Sequence, residues 1–248
     1  MPIYYDTMDL SADEKLKFAL GALTLGMITG ILFYDSDLAG IILAACCGMS
    51  FPRYRQAQRE KKKGQLLIQF RDLLYSISSS VSSGRNVAGA LEESVDFWKA
   101  TYEETDYIMQ ELRYMNGRIR EGGEKDLDVL RDFAQRSGLE DVSDFVSVYE
   151  SCRHSGGNLP LAINRATSVI GDKITLEREL KTMMAQKAFE SRIVALAPFT
   201  IILLLRVMSP EYLEPMTTTG EGRIITTFAL GLMAVSLIMM ERINRIEI

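Results

Sequence analysis

Four apolar runs, arranged as two close pairs, constrain this chain of 248 residues more than any other feature. They are Leu16–Tyr34 with Leu38–Phe51, and Ile193–Val207 with Ile224–Met240. A helix needs about 20 apolar residues to cross the hydrocarbon core of a bilayer, with roughly 17 at the short end. The first run meets this from Lys17 to Tyr34. The second is short unless Tyr54 and the Asp37 side are included, the third extends upstream through Phe189, and the fourth is long enough to Met240. The whole-chain figures look soluble, with 25% charged residues, a net charge of −5 and a mean hydropathy of +0.04. Those averages mislead, because the charge is concentrated outside the runs. Four runs bounded by charge predict four membrane spans in two hairpins; four buried core helices are the alternative.

Lysine and arginine placement predicts the orientation. After the second run come Arg53, Arg55, Arg59, Lys61, Lys62 and Lys63 against a single Glu60, whereas the connector inside the first hairpin carries Asp35 and Asp37. The connector inside the second hairpin carries Glu211, Glu214 and Glu221, with Arg206 and Arg223 at its edges. Lys15 and Lys17 precede the first run, and Arg242 and Arg245 follow the last. Both termini and the central domain are therefore expected in the cytoplasm, with two short acidic loops outside. The extreme N-terminus is acidic (Asp6, Asp9, Asp13, Glu14) and shows no secretory signal, so the first run is expected to be retained. The basic stretch reads either as a topology signal alone or also as a contact for anionic lipid headgroups.

Ser11-Ala-Asp-Glu14 has the form of a capping box and predicts the start of the first spanning helix. Within that helix Gly26 and Gly30 allow close helix approach, either for packing of the hairpin on itself or for oligomerisation. From Gly64 the apolar period is that of amphipathic helices. Leu66, Phe70, Leu73, Leu74, Ile77 and Val81 form one stripe, opposite a face rich in serine (Ser76, Ser78, Ser79, Ser80, Ser82, Ser83). Gly84 predicts a left-handed helix end and Asn86 the cap of the next helix, which carries Val87, Leu91, Val95 and Trp98. Thr101-Tyr-Glu-Glu104 reads as another capping box, opening a helix with Ile108, Leu112, Met115 and Ile119 inward and broken by Gly122-Gly123. Leu127, Leu130, Phe133 and Ala134 line a further helix that stops at Gly138. Val142, Phe145, Val146, Tyr149 and Cys152 line another that stops at Gly156-Gly157. Asn158 caps a sixth, with Pro160 in its first turn. No Gly or Pro lies between Lys173 and Ala197, so this sixth helix is expected to run on into the third span, where Pro198 stands.

The chain carries no phosphate-cradling Gly-rich loop and no His-Glu-x-x-His. With one histidine, a site built on several His ligands is excluded; His154, beside Gly156-Gly157, reads as structural. Cys46, Cys47 and Cys152 fit no metal spacing and no disulfide framework and read as small, buried hydrophobes. The clusters Glu92, Glu93, Asp96 and Glu140, Asp141, Asp144 have the chemistry of a divalent-cation site but read first as solvated helix faces. No ionisable residue sits in the middle of a span, which argues against an ion or proton pathway. No catalytic residue, cofactor or metal is expected, and nothing points to nucleic acid.

The segments FRDLLYSISSSVSSGRNVAGALEE, DLDVLRDFAQRSGLEDV and FVSVYESCRHSGGNLPLAINRA, and the run ending SRIVALAP, resemble the type II secretion system F family of platform proteins. The glycine-centred SGGNL turn, followed by a long helix and a proline-bearing span, is the most specific element. A single such domain with two spans on each side resembles the tight-adherence (Tad) pilus branch. The resemblance implies an all-α membrane protein: four transmembrane helices in two hairpins around a cytoplasmic six-helix bundle whose sixth helix is continuous with the third span. The corresponding division is 1–54 (hairpin), 55–64 (basic linker), 65–186 (helical domain) and 187–248 (hairpin). It further implies a non-enzymatic platform in the cell membrane of a prokaryote, with a cytoplasmic secretion ATPase, a paralogous platform protein, pilin subunits and membrane lipids as partners, in a homo- or hetero-oligomer. A membrane signalling receptor with a dimerising helical domain is the alternative, although its outward loops leave little room for a ligand. A membrane enzyme or transporter lacks both a nucleophile set and intramembrane charge.

Overall fold

The computed structural model of the protein describes residues 3–5 and 12–244. Ser11 of the first capping box, Asp6, Asp9, Arg245 and the side chain of Arg242 lie outside the described residues. Among the described residues the chain forms ten helices and no strand. They are α1 (Ala12–Tyr34), α2 (Asp37–Gly48), α3 (Phe51–Ser82), α4 (Val87–Trp98), α5 (Tyr107–Arg120), α6 (Asp126–Ser137), α7 (Glu140–Ser155), α8 (Leu159–Met208), α9 (Pro210–Thr218) and α10 (Gly220–Asn244). The chain divides into two units. The described residues of the first are 3–5 and 55–176, and those of the second are 12–54 and 177–244.

In the first unit the 3.6-residue period puts one apolar face of each helix into a common core. α3 contributes Leu66, Phe70, Leu73, Leu74 and Ile77; α5 contributes Ile108, Met109, Leu112 and Met115; Ile163, Ile170 and Ile174 come from α8. The Phe70 ring lies 5.8 Å from that of Phe133 on α6 and 5.7 Å from that of Phe145 on α7, so α3 is the element that the shorter helices share. Burying such a side chain stabilises by about 1.5–3 kcal/mol.

The serine face of α3 divides in two. Ser76 and Ser78 are buried, and Ser76 Oγ accepts from Trp98 Nε1 at 3.1 Å and shares a 2.8 Å hydrogen bond with Ser94 on α4. Ser79, Ser82 and Ser83 are exposed. The Thr101–Glu104 box does not open a helix; α5 begins at Tyr107. Gln69 of α3 explains the later start, because its Oε1 accepts from the backbone N–H of Ile108 at 3.1 Å and so satisfies one of the helix's otherwise orphaned donors. Asp106, just before the helix, accepts from Gln69 Nε2 at 3.1 Å and from the Glu103 N–H at 2.8 Å.

Among the described residues three helices contain stretches long and apolar enough to cross a membrane: Ala12–Tyr34 and Gly220–Met240 in the second unit, and Leu159–Met208, which belongs to the second unit from Glu177 onward. α2, where a second span was expected, has 12 residues and a length of about 18 Å, short of the roughly 30 Å core. It packs on α1 at glycines. A Cβ placed on Gly30 would collide with the backbone of Gly40, and one on Gly26 with the backbone of Ala44, so the paired glycines serve the hairpin itself.

Gly84 has φ +90°, a conformation that costs a β-branched residue at least about 1–2 kcal/mol. Gly84→Val should therefore lower the melting temperature of the detergent-solubilised protein, followed by circular dichroism at 222 nm. For the hairpin, Gly30→Leu should reduce the yield of folded protein sharply. Gly21→Leu, where no atom lies within 4 Å of the added Cβ, should not.

Candidate functional site

The six basic residues after α2 all lie on α3, but not on one face. Arg53 and Lys61 are exposed, whereas Arg55, Arg59, Lys62 and Lys63 are half-buried. Lys63 Nζ donates to the carbonyl oxygen of Gly138 at 3.2 Å, a cation at the carbonyl end of α6. The structure thus joins one member of the basic stretch to one of the turn glycines. Gly138 has φ +59° and Gly156 φ +69°, closing α6 and α7. Gly157 N–H donates to the Cys152 carbonyl at 2.9 Å. Asn86 Oδ1 accepts from Gly89 N–H at 2.8 Å and Asn158 Oδ1 from Leu161 N–H at 3.1 Å, so each asparagine caps the helix that follows it. Pro198 lies inside α8, where it supplies no N–H for the carbonyl four residues earlier.

Four of the six residues in the acidic clusters are engaged with cations. Glu93 meets Ser80 and Arg85, Glu92 meets Arg120, Asp96 meets Lys99, and Asp141 meets Lys173. Among the described residues no three His, Cys, Asp or Glu side chains converge as a metal site. His154 is exposed, 3.8 Å from Glu150.

The charged constellation of the first unit lies elsewhere, on residues whose charge alone marks them as surface. Glu111 of α5 and Arg136 of α6 are each 2% exposed at the side chain and form a two-pronged pair, with Nη1–Oε1 and Nη2–Oε2 both at 2.8 Å. Arg136 Nε donates to Asp132 at 2.7 Å, and the guanidinium lies 4.9 Å from the centroid of the Tyr114 ring. Burial works against the charged guanidinium, but the Glu111 and Asp132 carboxylates outweigh it and hold the Arg136 pKa above its ordinary value. A second group joins α6 to α7. Asp126 accepts from Tyr149 at 2.7 Å, from its neighbour's backbone (Leu127 N–H, 2.9 Å) and from Arg153. Burial would raise the Asp126 pKa, yet these three donors bring it below the usual value; burial and the Asp126 carboxylate push the Tyr149 phenol up.

In the second unit Arg206, near the end of α8, donates to the carbonyls of Ile31 and Leu32 (3.1 Å to the latter) and pairs with Asp35. The last turn of α1 contains no basic residue, and Arg206 supplies the missing cation. Asp35, the residue after α1, is left-handed at φ +50°, a conformation that aspartate tolerates better than most residues. Tyr34 and Thr227 of α10 add a 2.8 Å hydrogen bond.

Residue spacing could not reveal these groups. Glu111 and Arg136 are separated by 25 positions and Asp35 and Arg206 by 171. Together the groups clamp helices to one another. Comparison with family models, curated proteins and solved structures found no match.

Asp126 has a depressed folded-state pKa, so its ionised form stabilises the protein above its unfolded value of about 3.9, and that contribution is lost as pH falls through the lower folded value. Asp126→Asn should destabilise by about 1–2 kcal/mol at neutral pH, with the gap to wild type closing as the pH drops below about 3.9. Urea melts at a series of pH values measure this; a gap that does not depend on pH contradicts it.

Proposed function

We propose that this protein is a non-enzymatic platform of a type IV, Tad-like pilus or type II secretion machine, coupling a cytoplasmic secretion ATPase to pilin assembly in a prokaryotic cell membrane. The observation that carries the reading is α8. Its N-terminal part buries Ile163, Ile170 and Ile174 in the first unit's core, and the same helix ends in an apolar run fit to span a bilayer. At 50 residues it is about 75 Å long. A helix of this kind passes force or displacement between a partner-binding domain and the bilayer. The resemblance of the SGGNL turn and the segments around it to the secretion F family supports the same reading.

In this proposal two hairpins, with α2 as the short arm of the first, hold the helical domain on the cytoplasmic side with both termini. The basic residues Arg53, Arg55, Arg59, Lys61, Lys62 and Lys63 fix that orientation and meet the ATPase or anionic headgroups. A paralogous platform protein and pilin subunits are the membrane partners, in a homo- or hetero-oligomer. The platform needs surfaces and stiffness rather than a substrate pocket.

Affinity purification of the tagged full-length chain from its native membranes should recover a hexameric secretion ATPase, and recovery of only a kinase or response regulator would replace this reading with a signalling one. Reversal of Arg55, Arg59, Lys61, Lys62 and Lys63 to Glu should abolish pilus assembly or secretion in cells. Full function in that variant rules out both the orienting and the docking role of the stretch.

A further inference from the structure

Residues 3–5 form no helix, yet they belong to the helical first unit. Tyr5 is 1% exposed and Ile3 packs against the core, whereas Tyr4 between them is 59% exposed. This alternation is that of an extended segment laid on a surface, with every second side chain inward. The contacts use both the backbone and one side chain. Tyr5 N–H donates to the Arg136 carbonyl at 3.0 Å, filling an acceptor in the last turn of α6 that the helix itself leaves open. The Ile3 carbonyl accepts from Arg136 Nη1 at 3.2 Å. The Tyr5 phenol donates to Glu111 Oε1 at 3.2 Å, and its ring meets Tyr107 edge to face with centroids 5.7 Å apart.

We propose that the α5–α6 pair carries a docking slot for an extended, tyrosine-bearing peptide, and that residues 3–5 occupy it in cis as a releasable strap. The two backbone hydrogen bonds suit any extended chain; the phenol selects the residue. Glu111 offers the acceptor, Tyr107 the wall, and Arg136 both a guanidinium donor and a carbonyl acceptor. Three residues held by three hydrogen bonds and one buried ring gain little over the entropy lost in ordering them, so the strap opens far more readily than the helices beneath it. When it leaves, Glu111 and Arg136 remain paired, but Glu111 loses the Tyr5 phenol, Arg136 loses the Ile3 carbonyl and the Tyr5 N–H, and both meet water. The vacated slot then presents an anion, a cation and a backbone acceptor in fixed positions, ready for the same kind of peptide from a partner or for the strap's return.

The test uses the full chain in detergent or nanodiscs. In the wild-type protein the Tyr5 amide should exchange with deuterium at least about tenfold faster than the core amides of α6; exchange as slow as theirs means that the strap does not release. A labelled peptide of residues 1–9 should bind the Tyr5→Ala chain saturably and bind the wild-type chain about tenfold more weakly, because there the slot is filled. The same peptide with Tyr5→Ala should bind neither. Equal uptake of the native peptide by both chains, or uptake that ignores the tyrosine, overturns the proposal. If Tyr5→Ala fails to fold, Tyr5→Phe keeps the ring and removes only the Glu111 hydrogen bond. It should speed exchange of the strap and of the α5 amides near Glu111, and unchanged exchange there refutes the slot.

Discussion

A carboxylate and a guanidinium almost wholly covered while the N-terminal residues lie on them join α5 to α6. Glu111 and Arg136 can be buried only if nearly every donor and acceptor they carry is used, because removing two charges from water costs more than a loosely formed pair returns. The two-pronged contact, the Asp132 carboxylate, the Tyr114 ring, the Tyr5 phenol and the Ile3 carbonyl meet that demand together. Most of the stabilisation comes instead from the apolar stripe of α3 and the rings around Phe70, each worth more than an ion pair that roughly breaks even with a hydrophobic replacement. The pair contributes selectivity. The two-pronged geometry is met in the observed orientation of α5 and α6, which places the ends of both helices where Gln69, Lys63 and the N-terminal residues reach them.

The two units apply the same helix-forming pattern to opposite surroundings. In the first, leucines, isoleucines and phenylalanines turn inward and charge covers the outside. In the second, Ile193, Val194, Leu196, Ile201, Leu203 and Leu204 on α8 and Ile224, Ile225, Phe228 and Leu232 on α10 lie on the surface. In hydrocarbon such a surface carries no penalty, and the backbone can be satisfied within each helix. Polar contacts in this unit gather at helix ends, where Arg206 meets Asp35 and Tyr34 meets Thr227.

Helical class, the buried stripes and many turns were legible because each depends on neighbouring residues. Phe70, Phe133 and Phe145 occupy positions that the period assigns to the core, and Gly84, Gly138 and Gly156 stand where a chain must turn left-handed to end a helix. What stayed hidden depends on distant partners. The start of α5 was misplaced because the residue that fixes it, Gln69, belongs to another helix. Ser76 and Ser94 look like surface residues until Trp98 is seen to reach Ser76. Glu111 and Arg136 look like solvated charges for the same reason. The second run is already short in the sequence, and the turn at Met49 and Ser50, which sequence alone does not reveal, ends α2 at Gly48.

Pro198 has a mechanical meaning that its helix-breaking reputation obscures. An α-helix resists bending through its ladder of backbone hydrogen bonds, and a proline removes one rung while its ring wedges the turn before it. α8 continues through this position, so the rod survives with one compliant joint, and the joint lies inside the apolar run with the Phe199 ring 5.9 Å from Phe33 of α1. Thermal flexing of the longest element in the molecule therefore concentrates at a point that a neighbouring helix touches, like a spring leaf bearing on a stop.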